Sequence, residues 1–182
     1  MFGVSDDDLL RMYRDGDADA FDTLFARYQA PVYNFAHMML GEADGAEDVL
    51  QETFLSIART ARSYEPRGRF RAWLMRIVRN QCLNQIQARR VRRRVIAESG
   101  LDIIQPASRE PSPAAQVESD ERLARLRGLI AKLPELQREA IVLYAFEQMS
   151  YREIGEVLDV PINTVKTLIH RARARLARAF ER

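Results

Sequence analysis

Residues 150–182 read SYREIGEVLDVPINTVKTLIHRARARLARAFER, and this stretch decides the fold. Ser150 followed three residues later by Glu153 is the signature of a capping box, in which the hydroxyl accepts from a first-turn N–H while the carboxylate reaches back to the cap. Ile154, Val157 and Leu158 recur at helical spacing and give that helix an apolar face. Asp159-Val160-Pro161-Ile162 reads as a turn, because a proline disfavours the helical conformation at Val160 before it. Asn163 is a suitable cap for the next helix. There Val165, Leu168, Ile169, Ala172, Leu176 and Phe180 share one stripe, while Lys166, His170 and Arg173 line another, flanked by Thr167 and Arg171. Two helices joined by a tight turn, the second with a basic face, make a helix-turn-helix. Thr164, Lys166, Thr167, His170 and Arg171 sit where side chains reach base edges in a major groove, and Arg173, Arg175 and Arg178 are better placed for phosphates. A solvated basic helix would carry the same charges, but not the capped helix and turn in front of it.

Charge elsewhere comes in blocks. The 182 residues carry a net +2 and 47% are hydrophobic, enough for real cores. The first 52 residues hold Asp6, Asp7, Asp8, Asp48, Glu52 and seven further acids against Arg11, Arg14 and Arg27. From Arg67 to Arg94 ten arginines meet no acid. Such blocks imply separate surfaces for different partners, the basic ones facing nucleic acid. The one cysteine, Cys82, forbids an internal disulfide and a cysteine-rich zinc site. No apolar run is long enough for membrane insertion and the acidic start does not read as a signal peptide, so the expected location is cytoplasmic.

Ahead of the helix-turn-helix the pattern is helical throughout. Ser5 and Asp8 open a short first helix with Leu9, Leu10 and Tyr13 inward. Phe21, Leu24, Phe25 and Tyr28 mark a second, and Pro31 is suited to the first turn of a third that carries Val32, Phe35, Ala36, Met39 and Leu40 up to Gly41. His37, with no partner ligand at metal spacing, reads as structural. A helix over 44–61 puts Leu50, Phe54 and Ile57 on one side and the acidic, hydrogen-bonding Asp48, Gln51 and Glu52 on another; acids near a helix start are common for dipole reasons, so no metal site is inferred.

Residues 63–70, SYEPRGRF, interleave aromatics with arginines around a proline and a glycine, a loop able to stack an unpaired base while cations hold the backbone. A long helix follows on Phe70, Trp73, Leu74, Ile77, Val78 and Leu83, with Arg76, Asn80, Asn84 and Gln87 in register on a different face. Trp73 and Phe70 read as core; the amide row joined to the tail ARRVRRR points to nucleic acid. Regularity is then lost over 96–119, where Pro106, Pro111 and Pro113 suggest a linker of 24 residues. Extended, it spans roughly 80 Å at about 3.3 Å per residue. Helices resume at 120–132 (Leu123, Leu126, Ile130) and after Pro134 (Ile141, Leu143, Tyr144). The expected architecture is all-α, with two small helical domains over 1–95 and 120–182, a linker over 96–119 and the helix-turn-helix at 150–173.

Four stretches, DADAFDTLFARYQAPVYNFA, GAEDVLQETFLSIAR, FRAWLMRIVRNQCLNQIQARRVRR and LPELQREAIVLYAFEQMSYREIGEVLDVPINTVKTLIHRARARL, together resemble the extracytoplasmic-function group of bacterial sigma factors, which keep the second and fourth regions of the sigma-seventy proteins. The resemblance covers nearly the whole chain. It implies a dissociable subunit of RNA polymerase that directs the core enzyme, through its beta-prime and beta subunits, to promoter DNA. DVLQETF is similar to the family's clamp-helix contact, which carries Asp48, Gln51, Glu52 and Phe54 over as polymerase-binding residues. The loop and long helix are similar to the minus-ten element, implicating Tyr64, Arg67, Trp73, Arg76, Asn80, Asn84 and Gln87, with Trp73 mainly shaping it. The last helix is similar to the minus-thirty-five reader, implicating Thr164, Lys166, Thr167, His170, Arg171 and Arg173. Many members have a small residue where Asn163 stands and an arginine where Leu168 stands, so one phosphate or base contact is missing here. The resemblance also implies an anti-sigma partner, and no cofactor or metal.

Two rival readings weigh against this one. A stand-alone helix-turn-helix regulator would bind its site without polymerase; a ligand-sensing pocket is what its other domain would want, and the acidic helix does not suggest one. An enzyme acting on nucleic acid needs a nucleophile or metal constellation, and His37, His170 and Cys82 stand at no motif spacing.

Overall fold

The computed structural model describes the backbone of residues 3–65, 67–99 and 117–180 and the side chains of 3–65, 67–96 and 123–180. It holds α1 (Asp6–Arg14), α2 (Ala18–Leu40), α3 (Ala43–Thr60), a 3₁₀ turn (Ala61–Ser63), α4 (Phe70–Ser99), α5 (Val117–Ala131), α6 (Glu135–Ala145), α7 (Tyr151–Leu158) and α8 (Ile162–Phe180), with no strand among the described residues. The fold is all-α, as the periodicity predicts.

Local chemistry sets most boundaries. Ser5 caps α1 by accepting from the Asp8 N–H, and Asp17 caps α2 by accepting from Asp19 and Ala20. Gly41, at φ 77°, ends α2 in a left-handed turn that a side chain would strain. Pro31 does not start a separate helix: α2 runs through it from Ala18 to Leu40. The ring removes the N–H that would bond to Arg27, at about 3 kcal/mol for a proline inside a helix. Against that, Leu24 and Tyr28 before it and Val32, Phe35, Ala36 and Met39 after it are all buried. Each such side chain is worth roughly 1.5–3 kcal/mol when buried, so the continuous stripe wins.

The long helix also outruns its expected end. α4 continues to Ser99 and α5 begins at Val117, so the linker expected over 96–119 is helical at both margins. No glycine or proline stands between Val95 and Ser99 or between Gln116 and Ser119, and the first breaker is Gly100. The three linker prolines lie outside the described residues.

The buried side chains of α1 to α4, among them Leu24, Phe35, Ile57, Leu74 and Val78, and those of α5 to α8, among them Ile130, Leu143, Ile154, Val165 and Ile169, belong to one continuous apolar cluster. The two halves meet: α4 packs against α7, and α2 against α5 and α6. His37 stacks on Tyr33 at 5.8 Å, and burial followed by the charge of Arg127 lowers its pKa. Among the described residues no group of three or more His, Cys, Asp or Glu is arranged to hold a metal, and no helix is long and apolar enough to cross a membrane.

Candidate nucleic-acid interface

Three surfaces carry the residues singled out above. On α3, Asp48, Gln51 and Glu52 are exposed, with Glu52 paired to Arg59 at 3.2 Å. Phe54 is not on that surface. It is 5% exposed and its ring packs edge-on against Phe21 (6.0 Å) and Phe25 (4.7 Å). The helix period explains the difference: the residue one turn beyond both Gln51 and Glu52 is Leu55, which is 51% exposed. Spacing of three and four, applied to the exposed face rather than to the apolar one, would have found it.

The second surface is the loop after α3 with the α4 face that follows it. Tyr64 belongs to the loop read as able to stack an unpaired base, yet it is buried. Its ring lies 4.6 Å from Trp73 and 6.0 Å from Phe70, and its hydroxyl donates to Asp7 Oδ1 at 2.8 Å. Burial and the Asp7 carboxylate push its pKa up. The other Asp7 oxygen accepts from the Gly68 N–H, so one carboxylate of α1 fixes both ends of the bend. Gly68 sits at φ 68°, a conformation suited to glycine. Asp7 was hidden in an acidic run at the far end of the sequence, and nothing local marks it out. Arg67 is exposed and pairs with Glu65.

Above this floor is a cavity of about 420 Å³, lined by Ser63, Tyr64, Arg67, Arg69, Trp73 and Arg76 and by Glu156 of α7. Trp73 is half-buried. From the cavity, Asn80, Asn84 and Gln87 continue along α4 and are exposed. Arg76 is exposed too but engaged: its Nε donates to the Glu156 main-chain oxygen at 3.2 Å.

The third surface is α8. Thr164, Lys166, Thr167, His170 and Arg171 are all exposed on it. Arg173 lies over the ring of Tyr144 at 4.9 Å, and Tyr144 in turn stacks on Tyr151 at 5.3 Å, so this arginine is a strut between α8 and α6 as well as a cation. The capping box of α7 is present as predicted, with Ser150 and Glu153 exchanging hydrogen bonds. Asn163 does not cap α8. Asp159, at φ 56°, completes the reversal so early that the Pro161 carbonyl already accepts from Thr164 and Val165 at 2.9 and 3.1 Å. Asn163 falls inside the first turn, where its carbonyl accepts from the Thr167 hydroxyl. The angle between α7 and α8 depends on Gly155, since a Cβ there would stand 2.9 Å from the Val160 carbonyl oxygen.

Between the halves lies a row of arginine contacts. Arg79 Nε bonds to Glu139 Oε2 at 2.6 Å, Arg71 donates to the Glu147 main-chain oxygen, and Arg90 pairs with Glu135 at 3.2 Å. Glu139 is fully buried; burial raises its pKa and Arg79 opposes the rise. Cys82, on the same face of α4, is buried, and its thiol is pushed up to about 12, first by burial and then by the charge of Glu139.

Comparison with known proteins places the chain in a family. Residues 24–93 match the family model for Sigma-70 region 2, and residues 123–176 match that for Sigma-70, region 4. The chain is 33% identical over 172 residues to the ECF RNA polymerase sigma factor SigW of Bacillus subtilis (strain 168), covering 92% of each. It is 36% identical over 159 residues to the ECF RNA polymerase sigma factor SigE of Mycolicibacterium smegmatis, covering 86% of this chain and spanning 60% of that longer protein. In structure it is similar to the sigma factor RpoE in complex with the anti-sigma factor NepR from Bartonella quintana, with a TM-score of 0.72 and 26% identity over 88% of this chain and 96% of that one. Shared sequence over nearly the full length, two family models in the right order and a shared fold lead to one conclusion: the chain belongs to the extracytoplasmic-function group of RNA polymerase sigma factors.

Proposed function

We propose that three exposed surfaces divide the work of transcription initiation. Asp48, Gln51 and Glu52 on α3 dock on the beta-prime subunit of core RNA polymerase, with Leu55 adding apolar area beside them. The loop at 64–69 and the α4 row Arg76, Asn80, Asn84 and Gln87 take the minus-ten element as single strand. Thr164, Lys166, Thr167, His170 and Arg171 read the minus-thirty-five element as duplex. Residues 1–95 and 120–182 act as the two DNA-engaging domains, joined through 96–119, in the cytoplasm and without catalytic chemistry of their own. Because the structural neighbour RpoE is held by an anti-sigma factor, an anti-sigma partner for this chain follows as part of the proposal.

The observation that carries the reading is the exposed row of donors and amides running from an aromatic-floored cavity along one face of α4. Opening a duplex costs about 1.4 kcal/mol per stacked step, and a site that holds an extruded base and its backbone offsets that cost. Duplex reading by α8 adds about 1–3 kcal/mol of discrimination for each good base contact. The buried Tyr64 changes one part of the scheme: it builds the cavity floor, and Trp73 is the aromatic left at the cavity wall.

Asn80→Ala tests the reading in transcription with core polymerase. Promoter opening is expected to fall more than closed-complex binding, and equal defects in both would remove base capture from α4. Asp48→Arg is expected to abolish co-purification with core polymerase; normal co-purification would favour a stand-alone regulator.

A further inference from the structure

Arg69 and Arg76, both from the first half, close on one residue of the second. The Arg69 guanidinium lies 3.4 Å from the Glu156 carboxylate, and Arg76 donates through Nε and Nη2 to the main-chain oxygen of the same residue. Arg152, one turn back on α7, reaches that carboxylate from its own half at 3.5 Å. Three guanidinium groups therefore converge on Glu156, two on its carboxylate and one on its main-chain oxygen, beside the cavity floored by Tyr64 and walled by Trp73. Arg69 remains half-exposed while paired.

The acceptor set here is an anionic oxygen and a neutral carbonyl oxygen held before two forked donors of α4 and the residue preceding it. A phosphodiester offers forked guanidinium groups the same kind of target, charged oxygens in a fixed plane. Its base has an adjacent cavity to enter, and the amide row of Asn80 and Asn84 continues from there. A single strand laid along this face would need the position that Glu156 fills.

We propose that Arg69 and Arg76 form a phosphate site for single-stranded DNA and that Glu156 occupies it from within the chain, so that α7 and the strand exclude one another from α4. The proposal rests on the reading of α4 as the single-strand surface. The packing of the halves is then itself a competitor of the strand, acting through the carboxylate and the main-chain oxygen of one residue.

The probe is a fluorescein-labelled pool of random-sequence single-stranded 12-mers, titrated by anisotropy against the full-length protein, because a backbone contact reads no sequence. Glu156→Gln is expected to tighten binding about threefold, the range an exposed ion pair commands when it must be broken first. Asp159→Asn is the control. Asp159 lines the neighbouring groove beside Arg76, carries no ion pair among the described residues, and sits in a left-handed conformation that asparagine tolerates. Unchanged affinity in Glu156→Gln overturns the proposal. Equal tightening in both variants also overturns it, since removal of any nearby negative charge would then suffice. The underlying reading has a separate readout in promoter opening by Arg76→Ala with core polymerase: impaired opening alongside an unresponsive Glu156→Gln sinks the competition alone, whereas normal opening sinks the assignment of α4 and the proposal with it.

Discussion

Arg79 and Glu139 stand 60 residues apart in the chain and meet across the junction of its halves, Nε 2.6 Å from Oε2. Glu139 has no exposed surface, and its second carboxylate oxygen accepts no hydrogen bond among the described residues. A pair of this kind contributes little over an apolar substitute, yet losing one member strands a buried charge. Arg79→Ala is therefore expected to lower stability to denaturant by about 3 kcal/mol near neutral pH. The deficit relative to wild type should shrink at lower pH, since burial raises the Glu139 carboxyl and a protonated Glu139 needs no counter-ion. Urea titrations of both proteins at the two pH values check this.

Glu147 gives the junction a pH dependence of its own. Burial raises its carboxyl to about 7, with Arg71 pulling the other way. For an acid raised above its ordinary value, the protonated form belongs to the packed state. Its stabilisation is complete below the ordinary carboxylate range and is lost as pH rises through about 7. Thermal midpoints are expected to fall between about pH 5.5 and about pH 8 in the wild type, and Glu147→Gln should flatten that decline. A wild-type midpoint that rises over the same range would contradict the assignment.

In the helix-turn-helix, Gly155→Ala sets two effects against each other. Alanine gains about 1 kcal/mol of helix propensity over glycine. Its Cβ, however, meets the Val160 carbonyl oxygen at 2.9 Å, a backbone atom fixed by the turn, whose own N–H bonds back to the Gly155 carbonyl. Overpacking of this kind costs about 1–3 kcal/mol, so net destabilisation of about 1 kcal/mol is expected, with weaker binding of minus-thirty-five duplex as α8 tilts. Calorimetry and a duplex-binding titration on the same variant read the two consequences.

Tyr64→Phe keeps the ring and removes the donor to Asp7. Hydrogen bonds to charged groups contribute about 1.5–3 kcal/mol, and this one is partly open to water, so a loss of about 1 kcal/mol is expected. Faster amide exchange at Gly68, the other group held by Asp7, is the specific signature. Unchanged exchange there would mean the carboxylate does not organise the bend.

What the residues announced in advance was whatever depends on near neighbours. Ser150 with Glu153 specified the start of α7, and the stripe of Val165, Ile169 and Ala172 specified the buried side of α8. Errors arose where a local preference met a distant demand. Pro31 favours a helix start, but buried side chains on both sides of it keep α2 whole. Asn163 is a good cap, but a left-handed Asp159 moved the first acceptor to Pro161. Tyr64 sits in a basic loop and reads as a stacking platform until Asp7, 57 residues earlier, claims its hydroxyl. The arginine contacts between halves were beyond reach for the same reason, since no periodicity links Arg79 to Glu139.

Three arginines share a habit with an evolutionary edge, Arg138 of α6 joining Arg71 and Arg76 of α4. Arg71, Arg76 and Arg138 cross between the halves to main-chain oxygens, those of Glu147, Glu156 and Met39. A peptide carbonyl survives every codon change at its own position. Drift at the receiving residues can thus trim charge from the seam but never delete these acceptors, and heritable loosening of the clasp has to come from the guanidinium side.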